Sequence, residues 1–217
     1  MKKIFIPKIR VEKTTDLEQA SQLLEAKTQL HKIDTLNWEA FSYKPLINFR
    51  VAHTGNEIWL KYYVREKYIL ARETRINGDV YKDSTVEFFI SACGGKSYYN
   101  FEFSCIGTLH VAYGPGRGDR TFVSPELLKK ISISSSLGNR PFEEKIGDFY
   151  WEMMICIPVE CFAFDRLKTF DGLRATANFY KCGDETSEPH FVTWNSVKTE
   201  SPDYHRPEFF GEAEFGS

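Results

Sequence analysis

Hydrophobic and polar residues alternate with a period of two along most of this chain, which is the pattern of half-buried β-strands. A Thr54-Gly55-Asn56 turn separates the first two alternating segments and indicates a hairpin. About ten short strands with few helices predict an all-β fold, an antiparallel β-sandwich. The predicted strands are 47–53, 57–65, 80–90, 98–105, 106–113, 131–137, 150–157, 173–182, 190–194 and 208–215.

A helical spacing of apolar residues appears only near the N-terminus. Thr15-Asp16-Leu17-Glu18 has the form of a capping box, and Ala20, Leu23 and Leu24 follow on one helical face. We expect this amphipathic helix to pack on the outside of a sheet. The chain then divides into residues 1–32, an N-terminal extension with the peripheral helix, and residues 33–217, the β-sandwich domain.

The segment 80–90 contains an acid that needs a partner. Alternation places Val86 on one face of the strand and Glu87 on the other. An acidic side chain in an apolar strand is costly to bury unless a cation or a hydrogen-bond donor contacts it. Arg50, inside the strand 47–53, is the predicted partner, so the two form a structural ion pair, contact a ligand, or do both. Tyr81 is expected near the mouth of the same strand.

Other polar side chains also occupy strand interiors. Asn100 and Glu102 share one face of the strand 98–105, and Asn178 and Tyr180 share one face of the strand 173–182. Each set either forms cross-strand hydrogen bonds or contacts a ligand. Trp194 follows the strand start at residue 190 and is either a core residue or an aromatic platform.

Composition excludes some classes of partner. Lys and Arg total 28 against 30 for Asp and Glu, so the surface lacks the excess of positive charge that would attract a nucleic acid. No apolar run approaches the about 18 residues of a membrane span, and the short apolar start before Pro7 is not an export signal. As written, the chain therefore reads as cytoplasmic. Five Cys without a Cys-x-x-Cys pair and five scattered His predict no bound metal; the Cys read as reduced, with a single disulfide as the alternative.

Four segments together resemble the family 9 carbohydrate-binding modules, especially the stand-alone proteins of gut and environmental Bacteroidetes. They are residues 81–90, 98–103, 177–184 and 205–211, and the resemblance runs from residue 33 to the end. It implies a non-catalytic β-sandwich that holds the end of a glycan between two Trp rings, with acid, amide and Arg groups on the hydroxyls. It also implies calcium as a structural ion, and oligosaccharides, polysaccharides such as xylan and glycan-degrading enzymes as partners. Related modules are often exported.

The resemblance carries over to individual residues. Tyr81 matches one platform Trp, six residues before the hydroxyl-binding acid, which is Glu87. Trp194 is the candidate for the second ring. Tyr stands where the family has Trp at position 81, and the local stretch lacks an acidic calcium cluster. The other candidate carbohydrate contacts are Arg50, Asn100, Glu102, Asn178 and Tyr180.

Two other functions stay open at this point. A glycoside hydrolase would use Glu87 and Glu102 as its carboxyl pair. A haem-binding module of the DOMON-like type would need axial ligands, for which Met153 or Met154 with a His are the candidates; no Cys-x-x-Cys-His motif supports it.

Overall fold

Two β-sheets pack face to face in the computed structural model, which describes residues 1–11, 16–92, 94 and 96–217. Two helices, α1 (Leu17–Lys27) and α2 (Pro125–Leu128), accompany them. The strands are β1 (Lys3–Ile6), β2 (His31–Ile33), β3 (Thr35–Leu36), β4 (Leu46–His53), β5 (Glu57–Ala71), β6 (Thr85–Ser91), β7 (Tyr98–Ser104), β8 (Leu109–Gly114), β9 (Thr121–Phe122), β10 (Ser132–Ser135), β11 (Phe142–Pro158), β12 (Arg174–Gly183), β13 (His190–Thr193) and β14 (Gly211–Phe215).

The predicted β-sandwich is confirmed. One sheet has nine strands, with the order β1-β14-β12-β6-β7-β8-β9, with β13 attached beside β12 and with β3 beside β13. The other has five strands, in the order β10-β11-β5-β4-β2. Neighbouring strands are antiparallel except β1 and β14, which are parallel.

The core lies between the sheets and follows the alternation seen in the sequence. The nine-stranded sheet contributes Phe88 and Phe179, and the five-stranded sheet contributes Phe49 and Trp151, all fully buried. The rings of Phe49 and Phe179 stack across the sandwich with their centroids 4.1 Å apart. Full burial of one such side chain contributes about 1.5–3 kcal/mol to the stability of the fold.

The N-terminal helix α1 packs on the outer face of the five-stranded sheet, as predicted. The Asp16 side chain caps it by accepting a hydrogen bond from the Gln19 backbone N–H at 2.8 Å. Ala20 and Leu24 are buried against an apolar patch that includes Trp59. The predicted domain boundary after residue 32 falls within β2, and β1 pairs with β14, so residues 1–32 contribute strands to both sheets. Thr15, the first residue of the predicted capping box, and Cys93 lie outside the described residues.

The prediction of a continuous strand over 80–90 was wrong at its start. Residues Val80–Lys82 form a short 3-10 turn, and the strand begins at Thr85. Local side chains compete with the sheet for the backbone there. The carboxylate of Asp83 accepts hydrogen bonds from the Arg72 and Glu73 backbone N–H groups, both at 2.9 Å, and the Thr85 hydroxyl donates to the Val80 carbonyl at 2.6 Å.

The two methionines considered as haem ligands have packing positions. Met153 is fully buried in the core between the sheets, and Met154 lies in the apolar patch beneath α1. The four cysteines in the described part of the chain are buried and form no disulfide with one another. None of the helices in that part is long and apolar enough to cross a membrane.

Candidate functional site

Two rows of side chains run across the outer face of the nine-stranded sheet. The register pairs Tyr180 with Glu87, Glu87 with Glu102, and Glu102 with His110, so these four form one row. The neighbouring row is Asn178, Phe89, Asn100, Ala112 and Phe122. The alternation of each strand therefore brings distant polar residues together on one face.

The C-terminal segment, residues 195–210 between β13 and β14, covers one end of both rows. Tyr204 stacks on Tyr180 with the ring centroids 4.0 Å apart, and the backbone of Asn195 makes two hydrogen bonds to the Asn178 side-chain amide, at 2.8 and 3.0 Å. The other end stays open as a cleft of about 710 Å³. This volume lies in the range of about 300–1,000 Å³ that is usual for small-molecule sites.

Aromatic rings and polar side chains both line this cleft. The most exposed of its rings are Tyr81, at 40%, and Phe122, at 56%. The lining rings are Phe41, Tyr81, Phe89, Phe122, Phe191 and Tyr204. The polar side chains include Glu87, Asn100, Glu102, Arg117, Arg120 and Asp184.

Tyr81 stands at the rim because its 3-10 turn is fastened to the loop that follows β12. The Asp184 backbone N–H donates to the Tyr81 carbonyl at 3.4 Å, and the Glu185 N–H donates to the Lys82 carbonyl at 3.1 Å. The Cys182 sulfur also lies 3.5 Å from the Tyr81 carbonyl oxygen. The ring position is therefore set by backbone contacts that a change of the Tyr81 side chain leaves in place.

The loop between β8 and β9 forms the opposite wall, and Arg120 holds it. The Arg120 guanidinium donates to the Gly114 and Gly116 carbonyls at 3.3 and 3.2 Å and to the Ala112 carbonyl at 2.9 Å. It also donates to Asn100 Oδ1 on the cleft floor. Arg117, at the loop tip, pairs with Asp203 at 2.9 Å and so joins this wall to the C-terminal segment.

The carboxyl groups of the cleft are desolvated. Burial, followed by the charge of Glu102, holds the pKa of Glu87 well above its usual range. Burial likewise raises the pKa of Asp184 to about 6. In the same cleft, burial and the positive charges of Arg120 and Arg117 lower the pKa of His205 to about 3. His205 is therefore neutral at pH 7, and burial favours the neutral form of Glu87.

The predicted pairing of Arg50 with Glu87 was wrong. Arg50 lies on β4 in the five-stranded sheet, and its guanidinium donates to the Thr28 carbonyl at the end of α1. Glu87 faces the outside of the other sheet, so the core separates the two side chains. Glu87 instead accepts a hydrogen bond from the Cys182 thiol at 3.0 Å.

Of the other predicted contacts, the structure brings Tyr81, Glu87, Asn100 and Glu102 together in the cleft. Trp194 is only 4% exposed and packs edge-on against Phe179 in the core, with the ring centroids 5.6 Å apart. Asn178 and Tyr180 are fully buried beneath the C-terminal segment. These three side chains do not line the cleft.

Sequence reasoning missed several lining residues. Asp184 stands in one of the four matched segments, so its place beside Tyr81 could have been noticed. Arg120 and Phe122 gave no local signal, because a loop rich in glycine reveals neither its conformation nor its contacts. Phe41 and Phe191 pack together edge-on at 4.8 Å from parts of the chain far apart in sequence.

No three or more His, Cys, Asp or Glu side chains within residues 1–11, 16–92, 94 and 96–217 are grouped so that they could hold a metal ion. Those residues therefore offer no such ligand set for the calcium ion that the resemblance implies.

The model of carbohydrate-binding family 9 matches residues 18–215. The chain belongs to this family. The predicted carbohydrate-binding function is thereby confirmed at the level of the family. Among curated proteins, none matches the chain significantly.

Solved structures of carbohydrate-binding proteins resemble this fold throughout its length. A crystal structure of a candidate carbohydrate-binding protein from Bacteroides uniformis is 38% identical, covers 99% of both chains and superposes with a TM-score of 0.95. Family 9 modules from Caldicellulosiruptor kristjanssonii, in complex with glucose and with cellotriose, are each 10% identical. They cover 100% of this chain and 97% and 94% of their own, with TM-scores of 0.58 and 0.56, and support the fold alone.

Proposed function

We propose that the open cleft of this family 9 protein binds an oligosaccharide, with one sugar ring against Tyr81 and with sugar hydroxyls on Glu87 and Glu102. The observation that carries the proposal is the combination of an exposed ring at the rim with a buried carboxyl pair on the floor of one 710 Å³ cleft. Neither feature alone would indicate a sugar.

The chemistry of a pyranose explains this combination. Its faces expose C–H groups, which pack on aromatic rings, and its edge carries hydroxyls, which hydrogen-bond to carboxyl and amide groups. Tyr81 and Phe122 flank the cleft as two exposed rings, and Glu87, Asn100 and Glu102 lie on the floor between the walls. In this proposal Phe122 is the second ring, in place of the predicted Trp194.

The bound ligand in this proposal is a soluble oligosaccharide or the end of a polysaccharide chain, because the C-terminal segment closes one end of the sheet face. A protein that holds such an end would act beside glycan-degrading enzymes in the breakdown of a polysaccharide such as xylan. The family 9 modules in complex with glucose and cellotriose support neutral glycans as the first probes.

Calorimetric titration with glucose, cellotriose and xylotriose tests the proposal. We expect Tyr81→Ala to weaken binding at least about tenfold, equivalent to about 1.4 kcal/mol, because the sugar face loses its platform. Tyr150→Ala is the matched control, since Tyr150 is also an exposed tyrosine, at 59% against 40% for Tyr81, and lies on the five-stranded sheet.

The two variants must unfold at the same temperature as the wild type for the comparison to count. Equal loss of affinity in both would place the binding site elsewhere. If Tyr81→Ala retained wild-type affinity, Tyr81 would not be the platform for the sugar ring.

A further inference from the structure

Glu87 and Glu102 stand directly opposite each other on neighbouring strands of the cleft floor. Antiparallel pairing aligns them across β6 and β7, and both line the cleft. They are 2% and 5% exposed. Like charges at directly opposite positions repel, and burial strengthens the repulsion, so two ionised carboxylates are unfavourable here.

The groups around Glu87 do not neutralise it. The Cys182 thiol donates to Glu87 Oε1, and Lys181 points into the interior, where it pairs with Glu66 at 2.8 Å. Among the described residues, no Lys or Arg forms an ion pair with Glu87 or Glu102. The titratable groups nearest Glu87 are Tyr62 on β5, Glu102 on β7, Tyr180, Lys181 and Cys182 on β12, Asp184 after β12, and Tyr204 in the C-terminal segment.

The Asn100 amide gives Glu102 a stronger hydrogen-bond donor than Glu87 has. Its oxygen accepts hydrogen bonds from the Ala112 backbone N–H at 3.2 Å and from the Arg120 guanidinium. This directs the amide NH2 toward Glu102 Oε1 at 2.7 Å. An NH2 group only donates, and turning the amide over would set NH2 against two donors. Hydrogen bonds to a carboxyl favour its charged form, and the amide NH2 is a stronger donor than the Cys182 thiol on Glu87, so the single charge of the pair is favoured on Glu102.

From this geometry we infer that the cleft holds its sugar through a carboxyl pair with divided roles, in which Glu87 donates a hydrogen bond as a neutral acid and Glu102 accepts one as a carboxylate. Asn100 and Arg120 are the positioning residues that enforce the division. The inference rests on the proposed function of the cleft. Burial and the Glu102 charge, which raise the pKa of Glu87, agree with it.

The division selects a class of ligand. Vicinal hydroxyls of a neutral sugar can accept from Glu87 and donate to Glu102 at the same time. A uronate carboxylate only accepts, and the ammonium of an amino sugar only donates, so each satisfies one member of the pair. We therefore expect neutral oligosaccharides to bind more tightly than charged analogues of the same length.

Titration of matched variants with cellotriose and xylotriose at pH 6 to 9 separates the two roles. Glu87→Gln retains a donor, and we expect its affinity to stay within about threefold of the wild type and to become independent of pH. Wild-type affinity should fall as the pH rises and Glu87 loses its proton. In Glu102→Gln the Asn100 NH2 occupies the one remaining oxygen and the other group becomes a donor, so we expect at least about a tenfold loss at every pH.

Asn100→Asp tests the positioning residues. It keeps the side-chain size but replaces the donating NH2 with an oxygen, so we expect weaker binding and a changed pH profile, which a purely structural role would not produce. Carbon NMR of the side-chain carboxyls measures the two protonation states in the wild-type protein, without any mutation. At pH 7 it should show Glu87 protonated and Glu102 ionised.

Several outcomes would overturn the inference. Ionised carboxyls at both positions, a protonated Glu102, or equal losses in Glu87→Gln and Glu102→Gln would contradict the division of roles while the cleft still bound sugar. Failure of the wild type to bind glucose, cellotriose and xylotriose would instead overturn the proposed function, and this inference with it.

Discussion

Replacing Trp194 by Ala should destabilise the protein while leaving sugar binding intact. The indole is 4% exposed, packs edge-on against Phe179 and lies close against the backbone of Gly211, where an added Cβ would come 2.4 Å from the ring. It therefore fills a closed space in the core and cannot meet a ligand in the cleft.

The size of the effect follows from this environment. Truncating a buried Trp to Ala costs about 3–5 kcal/mol of unfolding free energy, from lost burial and the cavity that remains. The edge-on pair with Phe179 accounts for about 0.5–1.5 kcal/mol of that loss. At about 2–4 °C per kcal/mol for a chain of this size, the melting temperature should fall by roughly 6–20 °C.

Urea unfolding followed by fluorescence measures the stability, and calorimetry with cellotriose at a temperature where the variant is folded measures binding. Tyr81→Ala is the reciprocal case, since its ring is 40% exposed and its loss should cost less than about 1 kcal/mol of stability. A Trp194→Ala variant that loses binding but less than about 1 kcal/mol of stability would refute the reasoning and restore Trp194 as a platform.

Two other predictions concern buried charge. Lys181→Met should lower the free energy of unfolding by about 3–5 kcal/mol, because it leaves the Glu66 carboxylate in the core without its cation. The double variant Lys181→Met with Glu66→Gln should recover part of that loss. Equal urea midpoints for the single and double variants would contradict this. The pKa of His205 is about 3 in the folded protein and about 6.5 in the unfolded chain. The unfolded chain therefore binds this proton first as the pH is lowered, and the stability of the fold decreases below about pH 6.5. Urea unfolding at pH 7.5 and 5.0 should show His205→Gln losing less stability than the wild type, by at most about 2 kcal/mol; an identical loss would exclude His205 as the cause.

The strands and their faces could be predicted because alternation is a local property. It correctly placed Glu87 and Phe88 on opposite sides of one strand and Glu102 on the same side as Asn100. The start of that strand was missed because the Asp83 side chain captures two backbone N–H groups, a competition that hydrophobic pattern does not reveal.

Contacts between distant segments could not be predicted. The partner of Arg50 depends on which sheet its strand joins, and alternation leaves that open. Asn178 and Tyr180 do face outward with Glu87, as their strand pattern required, yet the C-terminal segment covers them. Whether an outward side chain is open to a ligand depends on chain folded over it from elsewhere.

The central claim is that carbohydrate binds in the open cleft of the nine-stranded sheet. NMR titration of the nitrogen-labelled protein with cellotriose tests it most directly, since each backbone amide reports on its own surroundings. The account predicts the largest shift changes at residues 81, 118, 120, 184 and 205, which surround the cleft. Changes confined to residues 63, 65 and 150 on the outer face of the five-stranded sheet would contradict it.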